Sequence, residues 1–292
     1  MEARSDSGST APILVSGGTG TLGRLVVARL CDAGRDVRVL SRGKRGEAGG
    51  AEGAKRLESV TADLATGEGV EAAVEGCDII VHLAGSPKGD EDKAASLVRA
   101  ASSAGARHIV YISVVGDERI PMTGAIDRAM FGYFGSKHAA ERAIAESGVP
   151  WTTLHATQFY DLTLKTAAAM ARMPVIPVPS GFRFQPIDTG EVADRLVELA
   201  LGAPAGRVPD MAGPRVYEMA ELVRGYLRAT GKRRLLVPLW LPGRAAAAFR
   251  AGANLAPDRA VGRRTWEDFL AERVRSHGPA THGSARSSPS TR

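Results

Sequence analysis

Two groups of residues have types and spacings that could do chemistry. The first is Gly17, Gly20 and Gly23, at G-x-x-G-x-x-G spacing within Ser-Gly-Gly-Thr-Gly-Thr-Leu-Gly, directly after the apolar run Ile13, Leu14, Val15. Leu22, Leu25, Val26 and Leu30 follow at helical spacing, so the stretch reads as strand, tight turn, helix. Glycines there let the backbone pass close to a pyrophosphate and aim the helix N-terminal N–H groups at it. With 34 glycines in the chain, the spacing alone also suits a plain turn; its place between a strand and a helix favours a dinucleotide. Gly17, Thr19, Gly20, Thr21, Leu22 and Gly23 are the expected cradle. The next strand, Val37 to Leu40, ends in Ser41-Arg42. An acid at that point would hold a ribose 2′-hydroxyl, whereas an arginine accommodates a 2′-phosphate, so NADP(H) is expected over NAD(H).

The second group is Ser113, Tyr133 and Lys137. Tyr133 and Lys137 are four apart and share one face of a predicted helix, while Ser113 ends the preceding strand. An ammonium beside a phenol favours phenolate, so this pair predicts a tyrosine pKa drawn from about 10 toward neutrality, each unit being about 1.4 kcal/mol. Such a tyrosine can protonate an alkoxide as hydride reaches a carbonyl carbon. Ser113 would hold that oxygen, and Lys137 would also reach the nicotinamide ribose. Tyr133 equally sits between Phe131 and Phe134 as a core aromatic would, and Tyr-x-x-x-Lys pairs arise by chance. The strand-end serine and the glycine turn together make a far more restrictive requirement.

The elements that must carry these residues alternate. Leu57 to Thr61 is a short strand ending at Ala62-Asp63-Leu64, where Asp63 and Leu64 could meet an adenine, or Asp63 could simply cap a helix approach. Ile79 to Leu83 is a continuous apolar run, as a two-sided buried parallel strand needs, and Ala84-Gly85 at its end would let a ribose approach. A helix over about 90–104, a strand His108 to Ile112, a helix Tyr133 to Ser147 and a strand Trp151 to His155 follow. This β-α alternation predicts a doubly wound parallel α/β sheet with ligands outside the strands' carboxyl ends. Residues 116–132 receive no assignment beyond a loop with a short helix. Further on, Pro174, Pro177 and Pro179 punctuate a short apolar stretch. A strand over 182–187, a helix over 191–200, a strand over 206–213, a helix over 217–230, a strand over 234–239 and two last helices suggest a small lobe. The expected organisation is a disordered lead (1–11), a folded unit (12–275) with a substrate lobe made mainly by 160–190 and 206–275, and a disordered tail (276–292).

Composition narrows the function classes. The 292 residues are 44% hydrophobic, enough for a large core. No apolar run reaches the ~18 residues of a membrane span, and the N-terminus lacks a signal-peptide core, so a soluble, cytoplasmic protein is expected. The net charge of +6 and pI of about 9.6 come from scattered arginines with no aromatic-interleaved basic stripe, which argues against nucleic acid. Cys31 and Cys77 lack metal or redox spacing, and no metal is expected. The histidines are dispersed and read as core or surface residues. Asp188 and Glu191 read as helix caps and dipole partners.

The chain resembles the short-chain dehydrogenase/reductase superfamily, specifically its atypical, NmrA-like branch. The matching pieces are residues 16–23, Val-Leu-Ser-Arg (39–42), Val-His-Leu-Ala-Gly (81–85), Val-Tyr-Ile-Ser-Val-Val-Gly (110–116), Tyr-Phe-Gly-Ser-Lys (133–137), Gln-Phe-Tyr-Asp (158–161), Phe-Gln-Pro-Ile (184–187) and Glu-Val-Ala-Asp (191–194). The resemblance implies a Rossmann core, bound NADP(H), and catalytic roles for Ser113, Tyr133 and Lys137. Many members of the branch lack the tyrosine, so its presence implies an NADP(H)-dependent oxidoreductase of a small carbonyl, quinone or similar acceptor. The alternatives are a non-catalytic NADP(H) redox sensor acting on a protein partner, or an NAD(P)-dependent epimerase or isomerase. Expected partners are a small-molecule substrate and, at most, a second copy in a homodimer.

Overall fold

The computed structural model describes residues 11–43, 57–86 and 89–277. Residues 43–55, whose Gly-, Ala-, Lys- and Arg-rich sequence predicts a loop or frayed helix, fall with the predicted lead and tail, but for their inner ends, outside the described residues. From the N-terminal side, β1 (Ile13–Ser16), α1 (Thr21–Asp32), β2 (Val37–Ser41), β3 (Leu57–Thr61), α2 (Val70–Val74), β4 (Ile79–His82), α3 (Asp90–Ser103), β5 (His108–Val114), α4 (Ala125–Ala145) and β6 (Trp151–Ala156) build the main layer. Then come α5 (Tyr160–Met170), β7 (Val175–Pro179), β8 (Arg183–Phe184), α6 (Thr189–Leu201), β9 (Gly206–Arg207), β10 (Tyr217–Glu218), α7 (Met219–Ala229), β11 (Leu235–Leu239), α8 (Arg244–Arg250) and α9 (Trp266–His277).

The central sheet has the order β3-β2-β1-β4-β5-β6-β9, and every pair in it is parallel. Alternation along each strand divides the core between two faces. Ile13 and Val15 of β1 meet Leu22, Val26 and Leu30 of α1 and Val192 and Leu196 of α6. Leu14 points the other way, with Ile80, Ile109 and Tyr111, onto Leu97 and Ala101 of α3 and Ala140 and Ile144 of α4. Strand order reverses between β1 and β4, and the carboxyl ends there open the crevice where a ligand fits. The expected doubly wound sheet is therefore present, and all seven residues of β5 are buried.

The later half departs from expectation in physical detail. The unassigned stretch 116–132 contains the first two turns of α4, which starts at Ala125 rather than Tyr133. Asp127 anchors it: Oδ2 accepts from Gly124 N (3.3 Å) and Oδ1 accepts from Ala245 N (3.1 Å) at the start of α8. Gly132 and Gly135 inside the helix weaken its propensity, and these tertiary contacts override it. Tyr160–Met170, read only as lobe, is a helix. The 206–213 piece adds β9 beside β6 and bridges Ala156 to Met211, so it belongs to the main sheet rather than the lobe. The lobe core is Tyr160, Ile176, Tyr217, Leu222, Tyr226, Trp266 and Phe269, from α5, β7, β10, α7 and α9. β7 pairs in parallel with β11, Pro177 opposite Val237 and Val178 opposite Pro238. Phe131 and Phe134 of α4 pack with Phe182 and Phe249, tying α4 to the lobe.

Gly17 has φ +73°, and a Cβ there would lie 2.7 Å from Ala84 N; a Cβ on Gly23 would lie 2.1 Å from Gly17 O. Helix α1 and β1 thus meet through bare backbone. Gly23→Ala should lower stability by about 1–3 kcal/mol through overpacking, read as a drop in Tm; an unchanged Tm would show that this contact does not set the turn.

Candidate functional site

At the carboxyl ends of β1, β2, β3 and β4 lies a cavity of about 530 Å³ lined by Gly17, Thr19, Gly20, Leu40, Ser41, Arg42, Ala62, Asp63, Leu64, Leu83, Ala84, Gly85, Ser86 and Lys93. Eight of the expected cofactor residues therefore share one wall: Gly17, Thr19, Gly20, Arg42, Asp63, Leu64, Ala84 and Gly85. Thr21, Leu22 and Gly23 do not line it; they form the first turn of α1, where Leu22 is core and Gly23 packs on Gly17. The cavity fits a dinucleotide: its floor is glycine backbone that a Cβ would block, no acid occupies the first turn of α1, and exposed Arg42 stands at the rim. Asp63 lines the cavity, and its Oδ1 accepts from Ala65 N at 2.8 Å within a turn rather than at a helix start, since α2 begins at Val70 with Gly69 before it. Lys93 on α3 was not foreseen; its ammonium meets Ser86 Oγ and Asp90 Oδ1.

Lys137 is 3% exposed. Its Nζ donates to Tyr111 OH (3.3 Å) and Ile112 O (3.2 Å) and lies 3.4 Å from Asp90 Oδ2. A Cβ on Gly85 would sit 3.4 Å from that Nζ, so the lysine lies directly behind the cavity wall and does not itself line the cavity. Burial lowers the Lys137 pKa, and Asp90 works against the shift. Asp90 is equally enclosed, its Oδ1 accepting from Ser86 N at 2.7 Å and its N–H donating to Ser136 Oγ.

Tyr133 shares the lysine's face of α4, as the spacing requires, and keeps 38% of its surface exposed. Its expected drift toward neutrality is corrected here. Desolvation and the Asp90 carboxylate push its phenol up to about 12. Lys137 Nζ lies 5.9 Å from the Tyr133 ring centroid and 4.9 Å from that of Tyr111, so its charge is directed to Asp90 and Tyr111. Ser113, 4% exposed at the end of β5, donates to Asp117 Oδ2 at 3.5 Å.

Beyond Ser113 is a cluster that sequence reading missed. Ser113 is the register partner of His155 on β6. His155 Nε2 lies 2.8 Å from Glu141 Oε2 and 3.7 Å from Asp117 Oδ1, and its Nδ1 lies 3.9 Å from Asp210 Oδ1. Burial alone would lower the His155 pKa, but Asp117 and Glu141 outweigh it and push it up to about 9. The same contacts hold Asp117 below the usual carboxylate range despite its burial. The available signals were Glu141, eight residues after Tyr133 on the same stripe, and Asp117, four after Ser113. The other buried histidines fit the core expectation: burial and Lys137 hold His82 at about 3, with Nδ1 2.7 Å from Ser16 Oγ, and burial holds His108 at about 4, with Nε2 2.8 Å from Thr152 Oγ1. Asp188 caps α6 by accepting from Gly190 N. Among the described residues no helix is long and apolar enough to cross a membrane.

A family model described as NAD(P)H-binding matches residues 17–201. The chain is 28% identical over 222 residues, 75% of its length, to 74% of a (4-alkanoyl-5-oxo-2,5-dihydrofuran-3-yl)methyl phosphate reductase of Streptomyces griseus. It is also 28% identical over 247 residues, 79% of its length, to 74% of a ceramide reductase of Caulobacter vibrioides. An NADPH-dependent quinone oxidoreductase of Escherichia coli, solved with NADPH, matches with a TM-score of 0.73 at 17% identity, covering 89% of this chain and 99% of the other. A nucleoside-diphosphate-sugar epimerase of Staphylococcus aureus matches with a TM-score of 0.70 at 19% identity and the same coverage; at these identities the two structures share the fold alone. The glycine cradle, the sheet order and the matched span agree: the chain belongs to the NAD(P)H-binding family, in the NmrA-like, atypical branch of the short-chain dehydrogenase/reductase superfamily.

Proposed function

We propose that the protein is an NADPH-dependent reductase of a small carbonyl, quinone or similar acceptor, with Tyr133 as proton donor. The observation that carries this reading is the line from cavity to surface: Gly85 on the wall, Lys137 buried behind it, and a solvent-open tyrosine one turn away on α4. NADPH held in the cavity would supply the hydride. A phenol pushed up to about 12 is protonated at neutral pH and so has a proton to give to an oxygen gaining negative charge. Lys137 holds its position through Asp90, Tyr111 and Ile112 O and sets the electrostatic field at the cavity wall. Ser113 exchanges its long contact with Asp117 for the acceptor oxygen and orients it. Two relatives bearing the word reductase in their names support the reaction class.

NADPH is favoured over NADH because Arg42 stands at the cavity rim at the end of β2, where an acid would be needed for a bare ribose. An arginine paired with a phosphate contributes about 1.5–3 kcal/mol. Arg42→Ala should therefore weaken NADPH about 10- to 100-fold while changing NADH much less, measured by fluorescence titration; equal losses for both would sink the 2′-phosphate assignment. Bound NADPH oxidation followed across carbonyl, quinone and enone acceptors should be about 10²- to 10⁴-fold slower in Tyr133→Phe, with NADPH affinity retained. Equal rates in both proteins would remove the tyrosine from the chemistry, and tight binding with no turnover on any acceptor would favour a redox sensor.

A further inference from the structure

Among the described residues, the Asp117, Glu141 and His155 cluster is a buried ionic group near the site that the reduction itself does not use. Three elements meet in it. Asp117 follows β5 and contacts Ser113; Glu141 lies on the Tyr133 and Lys137 stripe of α4; His155 belongs to β6 and has no exposed surface. With a neutral imidazole, two carboxylates would be enclosed against each other, an arrangement that costs several kcal/mol per uncompensated charge. Both ring nitrogens lie within ion-pair distance of carboxylates, Nε2 of Glu141 and Asp117 and Nδ1 of Asp210, though neither is aligned as a hydrogen bond. The other charged groups around it are already engaged or displaced. His138 of α4, 41% exposed, lies 3.7 Å from Asp117 Oδ2. Arg207 of β9 pairs with Glu118 and lies 3.8 Å from Asp210. Lys137 is held by Asp90. The three donor types also suit a metal ion, but Nε2 and Glu141 Oε2 are in ion-pair contact at 2.8 Å, without hydrogen-bond alignment, and closer than the roughly 3.0–3.4 Å that ligand atoms keep around an ion with bonds near 2.1 Å.

We propose that His155, as a buried imidazolium, is a positioning residue for the reduction: by clamping Asp117 to Glu141 it fixes the Ser113 strand end against the helix that carries Tyr133 and Lys137. It touches neither substrate nor cofactor. The proposal rests on the reductase reading for its kinetic arm, and its charge is testable without turnover. The sign of the pH effect follows from the raised pKa: the stabilisation is full below about 6.5 and is lost as pH rises through about 9.

The test uses the full chain as wild type, His155→Gln and His155→Arg, with acceptor reduction, NADPH titration, thermal melts from pH 6 to 10.5, histidine NMR and metal analysis. His155 should titrate near 9 by NMR, and wild-type Tm and kcat should fall through that pH. His155→Arg, a permanent cation, should retain its Tm and kcat to higher pH than wild type. His155→Gln should lose about tenfold or more in kcat at pH 7, since small displacements of reacting groups carry penalties of that size, with NADPH affinity within about twofold. A neutral His155 at pH 7, a stoichiometric divalent metal in the purified protein, or alkaline limbs that coincide in wild type and His155→Arg would each overturn the proposal. Wild type that binds NADPH but reduces nothing would defeat the reductase reading and the catalytic part of the clamp together; the NMR titration and the Tm comparison would still decide whether the imidazolium exists.

Discussion

Lys137 places an ammonium where water scarcely reaches, and the surrounding structure is arranged to tolerate it. A lone charge so enclosed costs several kcal/mol, which a single imperfect partner does not offset. Here the first turn of α3 presents Asp90, the end of β5 presents the carbonyl of Ile112, and the sheet face presents the hydroxyl of Tyr111. Asp90 is in turn held by the N–H of Ser86, on the loop that walls the cavity. The cation, the helix start and the loop that walls the cavity are therefore joined through one chain of contacts.

A second ionic group lies further along the same stripe of α4, where Glu141 meets His155 and Asp117. The helix is thus pinned to the sheet at two charged points, with Tyr133 toward the solvent end and Ser113 between them at the strand terminus. Charge contacts of this kind are directional in a way that the surrounding leucine, isoleucine and alanine packing is not. They fix where a helix sits along its axis, whereas apolar packing alone accepts small slides.

The central sheet was readable from sequence because its signals are local: apolar runs of strand length, glycines at the first turn, helical spacing between them. The same holds for Tyr133 and Lys137, whose relation is a matter of one helical turn. What was not legible came from distance in the chain. Asp90 stands far upstream of Lys137, so the phenol's response to its true electrostatic neighbours could not be read from the Tyr-x-x-x-Lys spacing. Asp117, Glu141 and His155 come from three elements and look unremarkable singly. The start of α4 was hidden by Gly124, Gly132 and Gly135, and its anchor, Asp127, acts through Ala245 more than a hundred residues later. The β9 addition to the sheet rests on two residues, too few to carry a periodicity.

The prolines of β7 and β11 have a consequence for solubility. These two strands form a sheet of their own, and Leu235, Val237 and Leu239 on β11 are 63%, 42% and 44% exposed. A flat apolar strand of that kind ordinarily templates another chain through its unpaired N–H groups. Pro238 within β11, and Pro177 and Pro179 on its partner, interrupt the row of backbone donors at alternate points. The lobe can thus present a greasy strand to water while denying it the ladder by which strands accrete into aggregates.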